Sequence, residues 1–459
     1  MTKRVKIFLE KVIKIGIIFF ALILLVSFFF FRSGKVSSFL FTALISLFYY
    51  FLFYQKKIRF SWSWKVSIGH IIIFSFIVRI LWVVLNRDFV YYSDWLFYHQ
   101  NALSVLNGER LFFDSKANGV SILTSAFYLF FSVGHFGAAT LQIILSCLIV
   151  FLVYFLGSKI FNIKVGLGAA TIAALNPTFI VYCNVINSQL LFTAFFLSCV
   201  AIMSKKINLK NIIIVGFLAG FSQYVRLSGN LFLISYLVLT LITLNYKKGL
   251  VYGSSLIFCF LIVQGPIFYY NYSSFNLISN SPATGQSMGW SMLIGANIDE
   301  NGDYNKKDLD YLYDDLSGRS NNMMPYEIDD HAKKLAFDRF RNYPFKLFLF
   351  AVFKKPLLLW SEGADIPGLG SWFKDYELWI IRISKVYHKI LLLLCASGLF
   401  LFLKLKNKKP IVNYLVIFGG CFTMAHVFLN VTPRYVMPFY PLLILMGAYF
   451  LFTNPRAIK

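Results

Sequence analysis

The chain has 459 residues, of which 58% are hydrophobic and 14% charged. Soluble domains sit near roughly 45–50% apolar and about 25% charged, so this composition excludes a water-soluble protein and indicates a polytopic membrane protein. The net charge of +24 does not point to nucleic acid, because most Lys and Arg stand in short runs between apolar segments, where they orient a membrane chain.

Taken in order, the apolar runs predict spans over 12–31, 36–54, 66–85, 138–157, 165–182, 185–203, 212–244, 250–270, 386–403, 411–428 and 436–452. In lipid each must be helical, since only a helix satisfies its own backbone there. Lys3, Arg4, Lys6, Lys11 and Lys14 precede or open the first run, and no A-x-A-like cleavage site follows. The run therefore reads as an uncleaved span rather than a signal peptide.

Basic clusters at 56–59, 159–164, 205–210, 247–248, 404–409 and 456–459 are placed in the cytoplasm with the N-terminus. The parity closes only if 212–244 is two spans, broken near 226–230. The expected fold is thus an all-α polytopic protein in the cell membrane, with about twelve transmembrane helices and both termini cytoplasmic.

The same parity keeps two apolar stretches, 120–136 and 345–359, from spanning. It leaves two large extracytoplasmic regions, 86–137 and 271–385. Eleven of the twenty acidic residues fall between Asp299 and Asp338. Within 328–340, Ile328, Ala332, Leu335 and Ala336 share one helical face, which predicts an amphipathic helix. The six cysteines all lie in or beside apolar runs, and none pair at metal-site spacing. Neither a disulfide framework nor a metal is expected, and no cofactor is called for.

Three segments hold residues able to do chemistry at the outer rim. Asp94 follows a span end and precedes a predicted helix, 95–106, on which Tyr98 and Ala102 share its face. A carboxylate among aromatics there is either a helix N-cap or a general base. His99 adds one imidazole, which with one Asp does not make a metal site. In the last outer turn Arg434 stands between prolines and beside Tyr435. An arginine so placed either snorkels as an interfacial anchor or grips a phosphate through its fork of donors. Arg226 falls at another outer span end, with the same two readings. Asn187, Ser188 and Gln189, taken singly, read as a solvated turn.

In order and in sidedness these segments resemble the GT-C superfamily of polytopic glycosyltransferases. They resemble most closely the branch of the protein O-mannosyltransferases and the aminoarabinose transferase of lipid A. The resemblance rests on the Asp94 loop with Tyr98, Ala102 and Gly108, the Asn176-Pro177 turn, the Gly220 to Arg226 segment, and Pro433-Arg434-Tyr435 before a Pro-rich last span. Gly265-Pro266 to Asn271, Gly295-Ala296-Asn297 to Gly302, and Tyr343-Pro344 add to it.

The resemblance implies an inverting glycosyltransferase of the outer face. Its donor is a sugar on a polyprenyl phosphate, and its acceptor a hydroxyl of a cell-surface polysaccharide, teichoic acid, glycolipid or protein. Asp94 is the implied base. Arg434, with Arg226 and Arg87, is implied to hold the donor phosphate. Tyr98, His99, Tyr435, Asn187 and Gln189 are candidates for the substrate pocket. Related enzymes often carry a carboxylate near the position of Gln189, which is neutral and cannot serve as a second base.

The implied organisation is two extra N-terminal helices in 1–65 and a GT-C-like membrane domain in 66–459. That domain includes the catalytic loop 86–137 and the large outer region 271–385. Membrane lipids are the remaining expected partners. The competing readings are a polymerase or ligase of lipid-linked glycans and a twelve-helix transporter. The transporter reading lacks an acidic residue in mid-span to couple a proton.

Overall fold

The computed structural model describes residues 3–29, 66–109, 118–204, 207–279, 288–315, 323–363, 369–404 and 410–453. The expected span over 36–54 lies outside them. The described residues form helices and no strands. In order these are α1 (Lys3–Phe29), α2 (Ile68–Leu85), α3 (Ser93–Leu106), α4 (Gly119–Phe130), α5 (His135–Ile160), α6 (Ile163–Ala174), α7 (Pro177–Val181), α8 (Ser188–Met203), α9 (Leu209–Val225), α10 (Gly229–Thr243) and α11 (Tyr246–Phe275). Then come α12 (Met288–Gly295), α13 (Lys306–Asp315), α14 (Pro325–Asn342), α15 (Pro344–Leu349), α16 (Lys355–Ser361), α17 (Glu377–Leu403), α18 (Pro410–Phe428) and α19 (Tyr440–Phe452), with short helical turns at Tyr182–Asn184, Phe350–Lys354, Ser371–Lys374 and Pro433–Phe439.

Six of the described helical segments are long and apolar enough to cross a membrane: Lys11–Phe29, Ile68–Leu85, His135–Ile160, Tyr246–Phe275, Glu377–Leu403 and Pro433–Phe452. A seventh candidate is the bent pair formed by α6 with Pro177–Asn184. The protein is therefore a multi-pass membrane protein. Five further apolar helices have 10–17 residues, at most about 26 Å at ~1.5 Å per residue against a hydrocarbon core of ~30 Å.

The breaks have local causes. Asn176 and Pro177 end α6, and the chain turns by 54°. Pro177 supplies no N–H, and the Asn176 side chain accepts from Phe179 N at 3.2 Å to start the next turn. The carbonyl of Ala174 at this break accepts from Arg79 Nη1 at 3.1 Å, and Arg79 is fully buried on α2. A backbone group exposed by a break inside a membrane needs such a partner. The run 212–244 divides between α9 and α10, close to where charge parity required it. Gly220, on α9, lets α11 approach. A Cβ there would meet Val263 at 2.6 Å, and Gln264 Nε2 donates to the Gly220 carbonyl at 2.7 Å.

Two cores result. The larger joins α1, α5, α6, α8, α17, α18 and α19. Helix α1 sits within it: Phe20 meets Trp360 edge-on at 5.2 Å, and Lys389 Nζ donates to the Ser27 carbonyl at 2.6 Å. The smaller core joins α12, α13 and α14 through Trp290, Leu293, Ile294 and Leu312. Ala332 and Ala336 are buried in it, with Ile328 and Leu335 packed against it. These four are the residues whose spacing marks an amphipathic helix.

A polar centre locks this smaller core. Asp308, 1% exposed, accepts from Arg339 Nη2 at 2.6 Å, from Asn297 Nδ2 at 3.0 Å and from Asn305 Nδ2 at 2.8 Å. Removing one partner of a buried ion pair leaves an uncompensated charge and costs about 3–5 kcal/mol. Asp308→Ala is thus expected to open the region to proteolysis in intact membranes, with the bands from the remainder of the chain unchanged. A parental digestion rate would show that the pair contributes no stability.

Candidate active site

Helix α3 opens on an unusual turn. Ser93 adopts φ 51°, a left-handed conformation disfavoured for residues with a Cβ. Tyr92, not Asp94, is the N-cap, and no side chain caps this end. Asp94 lies in the first turn and spends its carboxylate elsewhere, which corrects the capping alternative. Its Oδ2 accepts from Arg434 Nη2 at 2.8 Å.

Arg434 belongs to the short 3₁₀ helix Pro433–Phe439 that leads into α19. Prolines at 433 and 438 stiffen that segment by fixing φ. The Arg434 side chain is 30% exposed and that of Asp94 46%, so the pair is open to a soluble or interfacial substrate. The Nε of Arg434, by contrast, is buried and has no hydrogen-bond partner among the described residues. An unpaired buried donor calls for an explanation, since most such groups are satisfied.

Arg226 is the C-cap of α9. Its Nη1 donates to Ser188 Oγ at 3.1 Å, and its guanidinium lies over the Tyr435 ring at 5.2 Å. Tyr98, one turn along α3 from Asp94, faces the same cluster. Burial, reinforced by the Asp94 carboxylate, holds its hydroxyl above the usual phenol pKa, against the pull of Arg226, Ser188 and Arg434. Tyr98 is therefore a proton-bearing hydrogen-bond donor at neutral pH.

The turn before α8 is not solvated as its sequence suggests. Asn187, Ser188 and Gln189 are 1%, 2% and 5% exposed. Asn187 is the N-cap of α8, accepting from Leu190 N at 3.1 Å and donating to the Tyr182 carbonyl at 3.1 Å. That leaves its amide engaged in shaping the turn. Gln189 follows in the first turn, its carbonyl accepting from Thr193 Oγ1 at 2.6 Å. Ser188, singled out only as part of this turn, is the residue that reaches Arg226.

His99 bonds Tyr128 on α4, Nδ1 to hydroxyl at 2.7 Å, and lies 5.3 Å from the Tyr91 ring. Burial lowers its pKa, favouring the neutral imidazole. Arg87 is exposed in the turn after α2 and makes no ion pair or hydrogen bond to the Asp94 cluster among the described residues. The structure thus brings together Asp94, Tyr98, Arg226, Arg434 and Tyr435, adds Ser188, and leaves Arg87, His99 and Asn187 outside that contact network. Asp94 and Arg434, 340 positions apart, meet directly.

Residues 115–269 match the protein family described as dolichyl-phosphate-mannose-protein mannosyltransferase. The match takes in Ser188 and Arg226 but neither Asp94 nor Arg434. Comparison with curated proteins gives no match. Among solved structures, the chain is similar to the oligosaccharyltransferase of Archaeoglobus fulgidus in its apo form. The TM-score is 0.50 at 14% identity, over 85% of this chain and 51% of that one. The chain therefore spans about half the length of that structure.

The archaeal oligosaccharyltransferase AglB of the same organism, in complex with an inhibitory peptide and a dolichol-phosphate, gives TM-score 0.49 at 12% identity, over 85% and 50% of the two chains. ArnT from Cupriavidus metallidurans, bound to undecaprenyl phosphate, gives 0.40 at 12% identity, over 84% and 78%. The expected resemblance to the protein mannosyltransferases has a counterpart in the family match over residues 115–269, and the likeness to the archaeal structure is one of fold.

Proposed function

We propose that the chain is a glycosyltransferase that moves a sugar from a polyprenyl-phosphate donor to a hydroxyl acceptor on the outer face of the cell membrane. The observation that carries the reading is the ion pair between Asp94 and Arg434, joined by Arg226, Ser188 and a protonated Tyr98 in one cluster. The matched family is described by a sugar on a lipid phosphate, which suits a site built of one carboxylate and two guanidinium groups.

In this mechanism the acceptor oxygen attacks the anomeric carbon as its proton passes to Asp94. The bond from that carbon to the phosphate oxygen breaks, and the electron pair leaves with polyprenyl phosphate. Attack opposite the leaving group inverts the anomeric configuration. Arg434 and Arg226 meet the growing negative charge, and Tyr98 supplies a neutral donor. Arg434 neutralises Asp94, so a donor phosphate competes for the guanidinium and leaves the carboxylate free to accept a proton.

The acceptor is a cell-surface polysaccharide, teichoic acid, glycolipid or protein. The reading requires about twelve spans with both termini cytoplasmic and the regions 86–137 and 271–385 outside. Reporter fusions ending after Asp310 are therefore expected to read as external, and those ending after Lys408 as cytoplasmic. An internal signal at 310 would place the smaller core and Asp94 on the wrong side for a lipid-linked donor. The direct test of function is release of polyprenyl phosphate from polyprenyl-phosphate mannose by the purified protein when a cell-surface polysaccharide is added as hydroxyl acceptor, with the Asp94 and Arg434 variants as controls.

A further inference from the structure

Lys355 is 1% exposed yet has no carboxylate partner among the ion pairs of the described residues. Its Nζ donates instead to two backbone carbonyls, Gly295 and Val427, each at 3.0 Å. Gly295 ends α12, and Val427 lies in the last turn of α18. Two helix C-termini, each with unpaired carbonyls and a partial negative charge, thus converge on one ammonium. Burial lowers the pKa of Lys355 to about 7. Even the neutral amine keeps two N–H donors, so the tie survives loss of the charge.

The segments joined there are pressed together. A Cβ on Gly295 would meet Leu429 C at 2.6 Å and Phe428 O at 2.8 Å. Gly302, at φ +69°, turns the chain back over the lysine, and its Cβ position lies 3.6 Å from Lys355 Cε. The Gly302 carbonyl accepts from Val431 N at 2.8 Å. The Asp303 carboxylate accepts from Thr432 Oγ1 at 3.3 Å. The next residues are Pro433 and Arg434. Lys355 is therefore at the centre of a clamp that ends two residues before the arginine facing Asp94.

We propose that Lys355 is a positioning residue for sugar transfer, tying the 295–303 loop to the 427–432 segment and so setting where Arg434 stands against Asp94. The inference rests on the functional reading above only for the word transfer; the tie itself is geometric.

Two readouts test it in purified full-length protein. One is disulfide formation between cysteines in Asp303→Cys/Thr432→Cys, which reports whether the two segments stay in register. The other is turnover of polyprenyl-phosphate mannose without those cysteines. In Lys355→Met both donors are lost. Cysteine pairing is expected to fall, and kcat to fall ~10- to 100-fold with KM for the donor changed less than about threefold, because misplacement by about 1 Å costs up to ~10²-fold. Lys355→Arg retains donors and is expected to recover most of both, which a variant that simply fails to fold would not do.

Unchanged pairing in Lys355→Met overturns the proposal, as does reduced pairing with parental kcat. A cysteine pair that will not oxidise in the Lys355 parent contradicts the register itself. If the parent releases no polyprenyl phosphate while pairing still depends on Lys355, the functional reading fails and the tie stands.

Discussion

Asp94→Asn is expected to reach the membrane at the parental level and to lose sugar transfer by ~10²- to 10⁴-fold in kcat, the usual cost of removing a general base. Asparagine keeps the shape of the carboxylate and an oxygen able to accept from Arg434 Nη2, but it cannot take a proton at neutral pH. The fold does not depend on Asp94 as a helix cap, because Tyr92 occupies that position. The variant therefore separates chemistry from structure. The measurement is turnover of the lipid-linked donor at matched protein levels, with donor binding assayed separately. Binding is expected to hold or improve, since a neutral residue competes less strongly for Arg434. Full turnover in Asp94→Asn would reduce Asp94 to a partner that holds Arg434 in place.

Arg434→Lys carries the second large effect. At an interface a lysine snorkels as well as an arginine, so a membrane anchor predicts nearly parental activity. A phosphate clamp predicts otherwise. Arg434 presents Nη2 toward Asp94 from a planar guanidinium, whose fork of donors a point ammonium cannot reproduce. Loss of one charge-assisted hydrogen bond, about 1.5–3 kcal/mol, corresponds to ~10- to 150-fold in rate if it acts in the transition state. The informative comparison is kcat and KM side by side. A fall confined to kcat assigns the arginine to the departing phosphate. An unchanged kcat/KM would falsify the clamp and leave Arg226, already held by Ser188 and Tyr435, as the phosphate ligand.

Candidate residues were legible one at a time; their meeting was not. Asp94, Arg226 and Arg434 stand out as charges at the ends of apolar runs. Nothing in their spacing pairs Asp94 with Arg434 across 340 positions. Ser188 looked like part of a wet turn because Asn-Ser-Gln is a polar string, yet the turn is covered by the body of the protein. Lys355 was hidden differently. It sits in an apolar stretch beside Lys354, where a lysine reads as a snorkelling edge, and only the convergence of two helix ends explains its burial.

What the sequence determined by itself is the helical class, the division of 212–244 into two helices, and the buried face of α14, whereas the span expected over 165–182 breaks at Asn176-Pro177. Lipid leaves the backbone no partner but itself, the basic clusters require the break in 212–244, and a helix in water must segregate its apolar residues. What only the tertiary structure decided is which faces of the apolar helices meet. On α5, Ile143 is 6% exposed and its neighbour Ile144 45%, yet the two are identical in kind. Lipid tails are as apolar as a protein core, so a membrane helix carries no hydrophobic stripe that distinguishes its neighbours from its solvent. Rotation and height then follow from close packing and a few polar contacts, and those are what set Asp94 against Arg434.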